Sequence, residues 1–309
     1  MTGTTGAPRL LVVGGTGGLV GRSVLPEFMS RYEIRSLHRH PVAAEGAARV
    51  EWVPVDVGRI QDWRPFLEDV DVVLNLAWYR YGNATRFRHL AEGLERLVEA
   101  ARVAGTGRFL QVSVPPAPDR LERTLPYLAY KRRVDRAIAA SGLSYRIVRP
   151  TMLFGAGDRL LGTMLRLMDR YPVFPMFGDG QYHVSPVAAS DLARILRLEA
   201  AGDGSGTIDV GGPERYRYCD LTDLMFSYLG KRPRYWHLSP RSSVALAQLV
   251  QDLGSSLLYS YEVEWLLSDL LGPPPFEGLD PPMVRVEPYL QREALRRRGG
   301  GASAAVRRG

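Results

Sequence analysis

Short apolar segments alternate with stretches of helical periodicity in the first half of the chain. Residues Leu10 to Val13 form an uninterrupted apolar run, which is typical of a strand buried on both faces. Helices are predicted near 84–104 and 128–141, and further strands at 33–38, 50–55, 71–77, 108–113 and 145–149. Strands that alternate with helices predict βαβ units, and therefore an α/β fold built on a doubly wound parallel sheet.

The pattern changes after Pro150, where the elements become shorter and proline is more frequent. We predict a core over 1–150, a smaller mixed lobe over 151–295, part of which rejoins the core, and a flexible basic tail over 296–309. The motifs described below predict that the core binds a dinucleotide and that the lobe binds a substrate.

The charge of the chain is concentrated at one end. The chain has 309 residues and a formal net charge of +7. Seven arginines and two glutamates lie between Val284 and Gly309, so this segment carries five of the seven net charges. The rest of the chain is close to neutral, and although a basic tail can bind an acidic partner, a solvated tail is favoured, so we expect no nucleic-acid partner.

Other composition features narrow the class further. The one cysteine, Cys219, excludes an internal disulfide, and the five histidines lack the spacing of a metal motif. No apolar run reaches the roughly 20 residues that span a bilayer. We therefore expect a cytoplasmic protein, a monomer or homodimer, with no metal site and no membrane partner.

A glycine-rich loop follows the first predicted strand. Gly15, Gly18 and Gly21 are spaced G-x-x-G-x-x-G between that strand and a helix. A turn of this kind lets the backbone approach a pyrophosphate, and the helix N-terminus supplies free amides. The sequence therefore predicts a Rossmann dinucleotide cradle, formed by Gly15, Thr16, Gly17, Gly18, Leu19 and Gly21.

The end of the second strand indicates which dinucleotide is bound. An acidic residue there usually meets a bare ribose 2′-hydroxyl, but residues 34–40 contain none. Arg39, with help from Arg35, is placed to pair with a 2′-phosphate, so NADP(H) is preferred and NAD(H) is the alternative. Other cofactor contacts are predicted after the third and fourth strands, at Asp56, Val57, Asn75 and Ala77.

Tyr127 and Lys131 form the strongest catalytic pattern. Four residues apart on a predicted helix, their side chains share one face. An ammonium near a phenol stabilises the phenolate, which lets tyrosine act as a general acid toward a carbonyl. Lys131 and Lys231 are the only lysines in the sequence, so a lysine at this position is conspicuous.

Together these motifs resemble the short-chain dehydrogenase/reductase superfamily, in its extended or atypical branch. The resemblance covers roughly residues 9–230 and is carried by four features: Gly14–Gly21, Val55–Val57, Tyr127–Lys131 and Ile147–Gly155. The nearest groups are the NmrA-like and complex-I-accessory-subunit-like proteins. The resemblance implies that Lys131 also holds the nicotinamide ribose, and that the carboxamide lies beside Pro150, Thr151 and Leu153.

One position departs from the family pattern. The extended enzymes place a catalytic Ser or Thr just after the fifth strand, where this chain has Val114, with Ser113 one residue earlier. Because strand side chains alternate between faces, a shift of one residue matters. Either the register slips before Pro115 and Ser113 becomes the hydrogen-bond donor, or the family serine is absent.

The predicted substrate contacts are Trp78 and Tyr81 after the fourth strand, and Met164 and Met168 beyond Gly157. Such a lining suits a planar, lipophilic molecule, although the same residues could pack the core. The favoured function is an NADPH-dependent ketoreductase acting on a polyketide- or quinone-like small molecule, as in secondary metabolism. The alternatives are a nucleotide-sugar epimerase or dehydratase, and a non-catalytic NADP(H)-binding module.

Overall fold

The computed structural model describes residues 7–39, 50–80, 82–252 and 259–306. Within them the chain divides into two compact units, the first made of residues 1–114, 119–150 and 189–209 and the second of 115–118, 151–188 and 210–309. The predicted core over 1–150 therefore lacks one part of the first unit, which the chain supplies after residue 188.

The first unit is built on a seven-stranded sheet in the described residues, with strand order β11-β6-β5-β4-β1-β2-β3. Its strands are β1 (Arg9–Val13), β2 (Glu33–Leu37), β3 (Val50–Val53), β4 (Val72–Asn75), β5 (Arg108–Val112), β6 (Tyr145–Pro150) and β11 (Gly206–Val210). The pairs from β3 through to β6 are parallel. The doubly wound α/β fold predicted from the sequence is confirmed, and the reversal of order beside β1 is where such sheets bind dinucleotides.

Helices connect these strands. They are α1 (Leu19–Met29), α2 (Arg64–Leu67), α3 (Ala84–Ala104), α4 (Asp119–Thr124), α5 (Pro126–Ala140) and α7 (Ala189–Ala201). The longest, α3, begins where Asn83 accepts a hydrogen bond from the Arg86 amide and ends at Gly105, whose φ is +72°. Helix α5 begins at Pro126, and proline is favoured at the first position of a helix. Tyr130 follows four residues later.

Helix α7 completes the first unit from a distant part of the sequence. It packs against α1, and Arg197 donates to Glu27 across 2.5 Å. The buried side of α1 is formed by Val24, Leu25 and Phe28.

The second unit has short strands and its own core. Its strands are β7 (Leu153–Phe154), β8 (Phe174–Phe177), β9 (His183–Val184), β10 (Val187–Ala188), β12 (Tyr216–Arg217) and β13 (Tyr235–Leu238). Its helices are α6 (Leu160–Arg170), α8 (Tyr218–Leu229), α9 (Pro240–Asp252), α10 (Ser260–Leu266) and α11 (Val286–Val306). Helix α11 runs through residues 296–306, where the composition predicts a flexible tail.

Candidate cofactor and active site

The loop between β1 and α1 is a tight backbone turn that only glycine accommodates. Gly14 and Gly15 have φ values of +67° and +71°. A Cβ on Gly14 would lie 2.7 Å from the Ala77 Cβ, and one on Gly15 would lie 2.6 Å from the Leu76 Cβ. Gly14, which the G-x-x-G-x-x-G spacing leaves out, is therefore as constrained as Gly15.

The start of α1 offers an anion-binding end. Gly18 is the N-cap and provides no side-chain cap, and the first turn, which starts at Leu19, holds no acidic residue. A Cβ on Gly21 would lie 2.3 Å from the Thr16 Cα, so the helix packs directly on the loop. Gly17 uses its carbonyl to accept a hydrogen bond from Arg22. The helix N-terminus therefore remains available for a phosphate.

Thr16 carries an unpaired polar atom in this loop. The residue is 1% exposed, and its Oγ1 has no hydrogen-bond partner among the described residues. A buried hydroxyl without a partner is costly unless a ligand satisfies it. The orphan hydroxyl, the close-packed glycines and the uncapped helix together fit a dinucleotide pyrophosphate.

Beside the cradle lies an open cavity of about 390 Å³. Its wall is formed by residues that follow β2, β3 and β4: Arg39, Asp56, Gly58, Arg59, Tyr79, Asn83, Thr85, Arg86, His89 and Leu90. The guanidinium carbons of Arg39 and Arg86 lie 5.7 Å and 3.9 Å from the centre of the Tyr79 ring. The cavity thus presents cations around an aromatic face, which suits an adenosine carrying an extra phosphate.

Asp56 and Val57 sit at the edge of this cavity. Asp56 caps a short 3-10 helix, Val57–Arg59, by accepting from the Gly58 amide at 3.1 Å. The Val57 side chain is buried in the core of the first unit. Any cofactor contact of Val57 is therefore made by its backbone.

The Arg35 side chain is hydrogen-bonded to other protein groups. The prediction that it assists Arg39 in pairing with a 2′-phosphate is therefore corrected. Its Nε donates to Glu51 at 2.8 Å and its Nη1 to the Phe66 carbonyl at 3.1 Å. These hydrogen bonds hold the Arg35 side chain against β3 and helix α2.

Asn75 supports the cradle from within the protein. It is fully buried, its Nδ2 donates to the Gln111 Oε1 at 2.7 Å, and its Oδ1 accepts from the Ala77 amide at 3.0 Å. These bonds fix Ala77 against Gly14. Both ends of the Asn75 amide are thus hydrogen-bonded to protein, and contact of this residue with a cofactor stays a prediction.

Tyr127 and Lys131 are brought together around one indole ring. The Trp78 ring stacks on Phe87 with centroids 5.8 Å apart and meets Tyr127 edge to face at 6.2 Å. The Lys131 Nζ lies 4.7 Å from the centre of the same ring. The loop after β4 and helix α5 therefore build a common cluster, which we name the Trp78 cluster: Trp78, Phe87, Tyr127 and Lys131.

Burial changes the acidity of this lysine. Lys131 is 1% exposed, and the loss of hydration lowers its pKa to about 8, although the nearby Asp135 carboxylate favours the ammonium form. A lysine with a pKa of about 8 gains and loses its proton close to neutral pH, and at pH 7 it is mostly charged. It can stabilise a phenolate on Tyr127 and take part in proton transfer.

The Ser113 hydroxyl is hydrogen-bonded within the protein. Its Oγ donates to the Asp135 Oδ2 at 2.6 Å, and the same carboxylate oxygen accepts from Arg132 at 3.1 Å. Ser113 follows Gln111 on the same side of the strand, and Gln111 also reaches Asp135, at 3.4 Å. The prediction that Ser113 is the catalytic donor is therefore not supported, since the register does not slip.

The residues predicted to meet the nicotinamide fall on both sides of a unit boundary. Pro150 ends β6 in the first unit, whereas Thr151 and Leu153 belong to the second. Thr151 uses its Oγ1 to donate to the Ser185 carbonyl at 2.5 Å. Contact of these three residues with a cofactor stays a prediction.

Two predicted substrate residues lie in a protein core. Met164 and Met168 pack in the hydrophobic core of the second unit, and Met168 is fully buried. The methionines recur on the buried side of an amphipathic helix, so helical periodicity explains them and the predicted substrate lining is corrected. Tyr81 lies outside the described residues, and Trp78 is placed in the Trp78 cluster.

Sequence reasoning missed several residues of the cavity. Arg86 is recognisable in retrospect, because Asn83 is an N-cap and places Arg86 in the first turn of α3. Tyr79, between the predicted substrate residues Trp78 and Tyr81, lies with Arg39 and Arg86. No sequence pattern indicated Asp135, the partner of Ser113, because only the packing of α5 on β5 brings the two residues together.

The geometry defines a dinucleotide-binding protein of the Rossmann class, and comparison with known proteins agrees. The sequence profile of a family described as NAD(P)H-binding matches residues 14–169. The chain belongs to this family, and its resemblance to the extended or atypical short-chain dehydrogenase/reductase branch is confirmed.

Relatives among characterised proteins are more distant. The chain is 26% identical over 219 residues to the NADH-ubiquinone oxidoreductase 40 kDa subunit, mitochondrial, of Neurospora crassa, covering 70% of this chain and 56% of that protein. It is 29% identical over 168 residues to the ceramide reductase of Caulobacter vibrioides, covering 54% and 51%. A third relative, subunit 9 of the NADH dehydrogenase 1 alpha subcomplex of Arabidopsis thaliana, is 28% identical over 48% of this chain and 36% of its own length. The chain thus spans about a third to just over a half of these relatives.

Solved structures share the fold. A UDP-N-acetylglucosamine 4-epimerase from Methanobrevibacter ruminantium, in complex with UDP-N-acetylmuramic acid, matches with a TM-score of 0.65 and 16% identity over 93% of this chain and 97% of that chain. DesIV, a dTDP-glucose 4,6-dehydratase from Streptomyces venezuelae with NAD bound, matches with a TM-score of 0.61 and 21% identity over 92% and 95%. At these identities the likeness shows the fold alone.

The described residues show neither a membrane-spanning helix nor a metal site. None of the helices in the described ranges combines the length and apolar character needed to cross a membrane. Across the same ranges, no group of three or more His, Cys, Asp or Glu side chains is arranged to hold a metal ion.

Proposed function

We propose that this protein is an NADPH-dependent reductase of a carbonyl group in a lipophilic small molecule. The observation that carries the proposal is the Trp78 cluster, in which a buried lysine and a tyrosine on one helix face share an indole ring. A general acid whose conjugate base has a cation beside it is what the reduction of a carbonyl requires.

Tyr127 and Lys131 would divide the proton chemistry between them. A reduced nicotinamide cofactor supplies, when bound, the hydride that reduces the carbonyl carbon. Tyr127 gives its hydroxyl proton to the carbonyl oxygen, which becomes an alcohol, and Lys131 stabilises the phenolate that is left. The tyrosine then regains its proton from water or through the lysine.

The cavity beside the cradle supports NADPH over NADH. Arg39, Arg59 and Arg86 bring three cations to it, and the carboxylate of Asp56 faces the 3-10 helix and Arg59. A 2′-phosphate has about two negative charges and pairs well with guanidinium groups. Arg39 would contact that phosphate, and Tyr79 would stack on the adenine.

A lipophilic substrate is favoured by the aromatic side chains around Tyr127. Trp78 and Phe87 surround the phenol with apolar ring surface, which favours a planar or lipid-like molecule over a strongly hydrated one. A relative named ceramide reductase is consistent with a carbonyl substrate of this kind. A quinone- or polyketide-like ketone is the class we would screen first.

The test is a titration followed by a turnover assay. Binding of NADPH and NADH is measured by nucleotide fluorescence, and NADPH oxidation is then followed with a panel of ketones and quinones. The proposal expects tighter binding of NADPH and one NADP⁺ formed for each carbonyl reduced. Binding of neither nucleotide, or binding without turnover of any carbonyl, would contradict it.

A second candidate is an epimerase or dehydratase of a nucleotide sugar. It is favoured by the fold shared with the two nucleotide-sugar enzymes and by a short match, 40% identical over 62 residues, to an uncharacterised sugar epimerase of Bacillus subtilis. Such an enzyme recycles its cofactor, so conversion of a UDP- or dTDP-sugar without net nucleotide oxidation would select it. Tight binding with no turnover of either substrate class would favour a non-catalytic NADP(H)-binding module. Cytoplasmic location and a monomeric or homodimeric state stay predictions.

A further inference from the structure

The cluster around Tyr127 contains one donor that protein does not use. The indole Nε1 of Trp78 is buried and has no hydrogen-bond partner among the described residues. An indole N–H can only donate, and leaving it unpaired in the interior costs stability. Native structures keep such groups rarely, and a ligand acceptor is one reason to keep them.

The two tryptophans that are buried as whole residues in the described chain do have partners. Trp63 donates its Nε1 to the Gly93 carbonyl at 3.0 Å, and Trp265 donates to the Pro116 carbonyl at 2.7 Å. Burial of an indole therefore does not by itself leave the N–H unpaired in this protein. Trp78 differs from them in lying against Tyr127 and Lys131.

The same site lacks the second donor that carbonyl reduction would use. Val114 has no polar side chain, and the Ser113 hydroxyl is held by Asp135 at 2.6 Å. A carbonyl oxygen that receives a proton from Tyr127 gains charge in the transition state, and a second donor aimed at it lowers the barrier. Trp78 carries the N–H on the ring that Tyr127 contacts.

We propose that the Trp78 indole N–H is a catalytic hydrogen-bond donor to the substrate carbonyl oxygen, in place of the serine hydroxyl that this chain does not offer. The N–H keeps its proton throughout, so Tyr127 remains the acid. The indole ring meanwhile holds the Lys131 ammonium against its face. This inference rests on the proposed reductase function.

The test removes the N–H and keeps the ring. Trp78→Phe retains an aromatic surface for Tyr127 and Lys131, and β-(3-benzothienyl)alanine at position 78 replaces only the nitrogen with sulfur. Loss of one transition-state donor lowers kcat by about 100-fold, so both variants should fall by roughly that factor with NADPH affinity unchanged. Ser113→Ala should change kcat by no more than a few-fold.

A stability comparison tests the unpaired state without any turnover. β-(3-Benzothienyl)alanine at position 63 leaves the Gly93 carbonyl without its donor and should lower Tm, whereas the same replacement at position 78 removes an unpaired donor at constant ring volume and should leave Tm unchanged or raise it. A clear drop in Tm for the benzothienyl variant at position 78 would show that the N–H is already bound to protein, and would overturn the inference.

The kinetic outcomes separate this inference from the proposed function. If the native protein reduces carbonyls and both position-78 variants keep its kcat, the inference fails and the function stands. Weaker NADPH binding with unchanged kcat would mean that the N–H meets the cofactor, which also overturns it. If the native protein reduces no carbonyl, both fail together.

Discussion

The two ends of the candidate site in the first unit differ in how far their charged side chains are exposed to water. At the cavity beside the cradle the cations are accessible, and the Arg59 side chain is 89% exposed. In the Trp78 cluster the one cation, Lys131, is 1% exposed and lies over an aromatic ring. The same fold thus keeps charge hydrated where a nucleotide would bind and dehydrates it where a proton would move.

This difference separates affinity from reactivity. An exposed charge attracts an anion with little cost and is screened by salt. A buried charge is unstable by itself, and its pKa moves toward neutrality. Changes at the cavity should therefore alter nucleotide binding, and changes at the cluster should alter turnover and stability.

The largest expected effect is on turnover, in Tyr127→Phe. Loss of a general acid lowers the rate by about 100- to 10,000-fold. The affinity for NADPH should stay the same, because the phenol lies in the Trp78 cluster and not in the cavity. Steady-state kinetics with the best substrate of the screen, together with a nucleotide titration, check both parts. Tyr130→Phe, one turn away, is the control, and equal losses in the two variants would contradict the role of Tyr127.

The next effect is on stability, in Lys131→Met. The pKa of Lys131 falls from its ordinary 10.5 to about 8, and each unit corresponds to 1.36 kcal/mol, so removing the buried ammonium should raise the free energy of unfolding at pH 7 by about 1 to 3 kcal/mol. The variant should also lose turnover.

The pH dependence of that gap follows from proton linkage. Below about pH 8 the native lysine is protonated, and the cost of burying the charge is fully present. Between about pH 8 and 10.5 the unfolded chain binds a proton that the native protein lacks, so the wild-type protein gains stability with rising pH relative to Lys131→Met. Urea unfolding of both proteins at pH 7 and pH 10 measures the change. A gap of constant size would show that Lys131 is not buried as an ammonium.

A smaller effect is expected at the other end of the site, in Arg39→Asp. Loss of a charge-assisted hydrogen bond, worth about 1.5 to 3 kcal/mol, should weaken NADPH binding by about 10- to 100-fold. NADH binding should change much less, since NADH lacks the 2′-phosphate. Parallel fluorescence titrations give the ratio, and equal losses for both nucleotides would refute the contact. The ratio should also decrease with added salt.

The smallest effect is expected for Arg35→Ala, on strand β2, four residues before Arg39. Arg35 pairs with Glu51, whose side chain is 56% exposed, and such a pair contributes about 1 kcal/mol or less. The variant should lose a little stability and leave the preference for NADPH unchanged. A shift in that preference as large as the one for Arg39→Asp would place Arg35 in the cofactor site.

The regular parts of the fold were predictable from local pattern. The apolar run of β1 and the periodicity of α3 appear in the structure within two residues of the predicted bounds. The glycine loop was predicted because its backbone constraints select one residue type at fixed spacings. Tyr127 and Lys131 were recognisable because four residues on a helix bring two side chains together.

The parts that sequence reasoning missed depend on contacts between distant segments. Asn75 and Gln111 are 36 residues apart and hydrogen-bond each other, a contact that the local sequence does not indicate. The two alternatives for Ser113 could not be separated from sequence, because its partner Asp135 lies 22 residues away on α5. A polar side chain near a predicted site can serve the ligand or the scaffold, and only the three-dimensional neighbours decide which.

The first unit can complete its fold only after a distant part of the chain has been synthesised. Helix α1 packs against α7. The hydrogen-bond partner of Glu27 is Arg197, which is synthesised 170 residues later. At the roughly 5 to 20 residues per second of protein synthesis, that separation corresponds to about 10 to 30 seconds. During this interval the glycine loop has been made, but part of the apolar surface of α1 is still uncovered. The nascent chain is therefore exposed to aggregation and to chaperones at the stage when the nucleotide could first stabilise it.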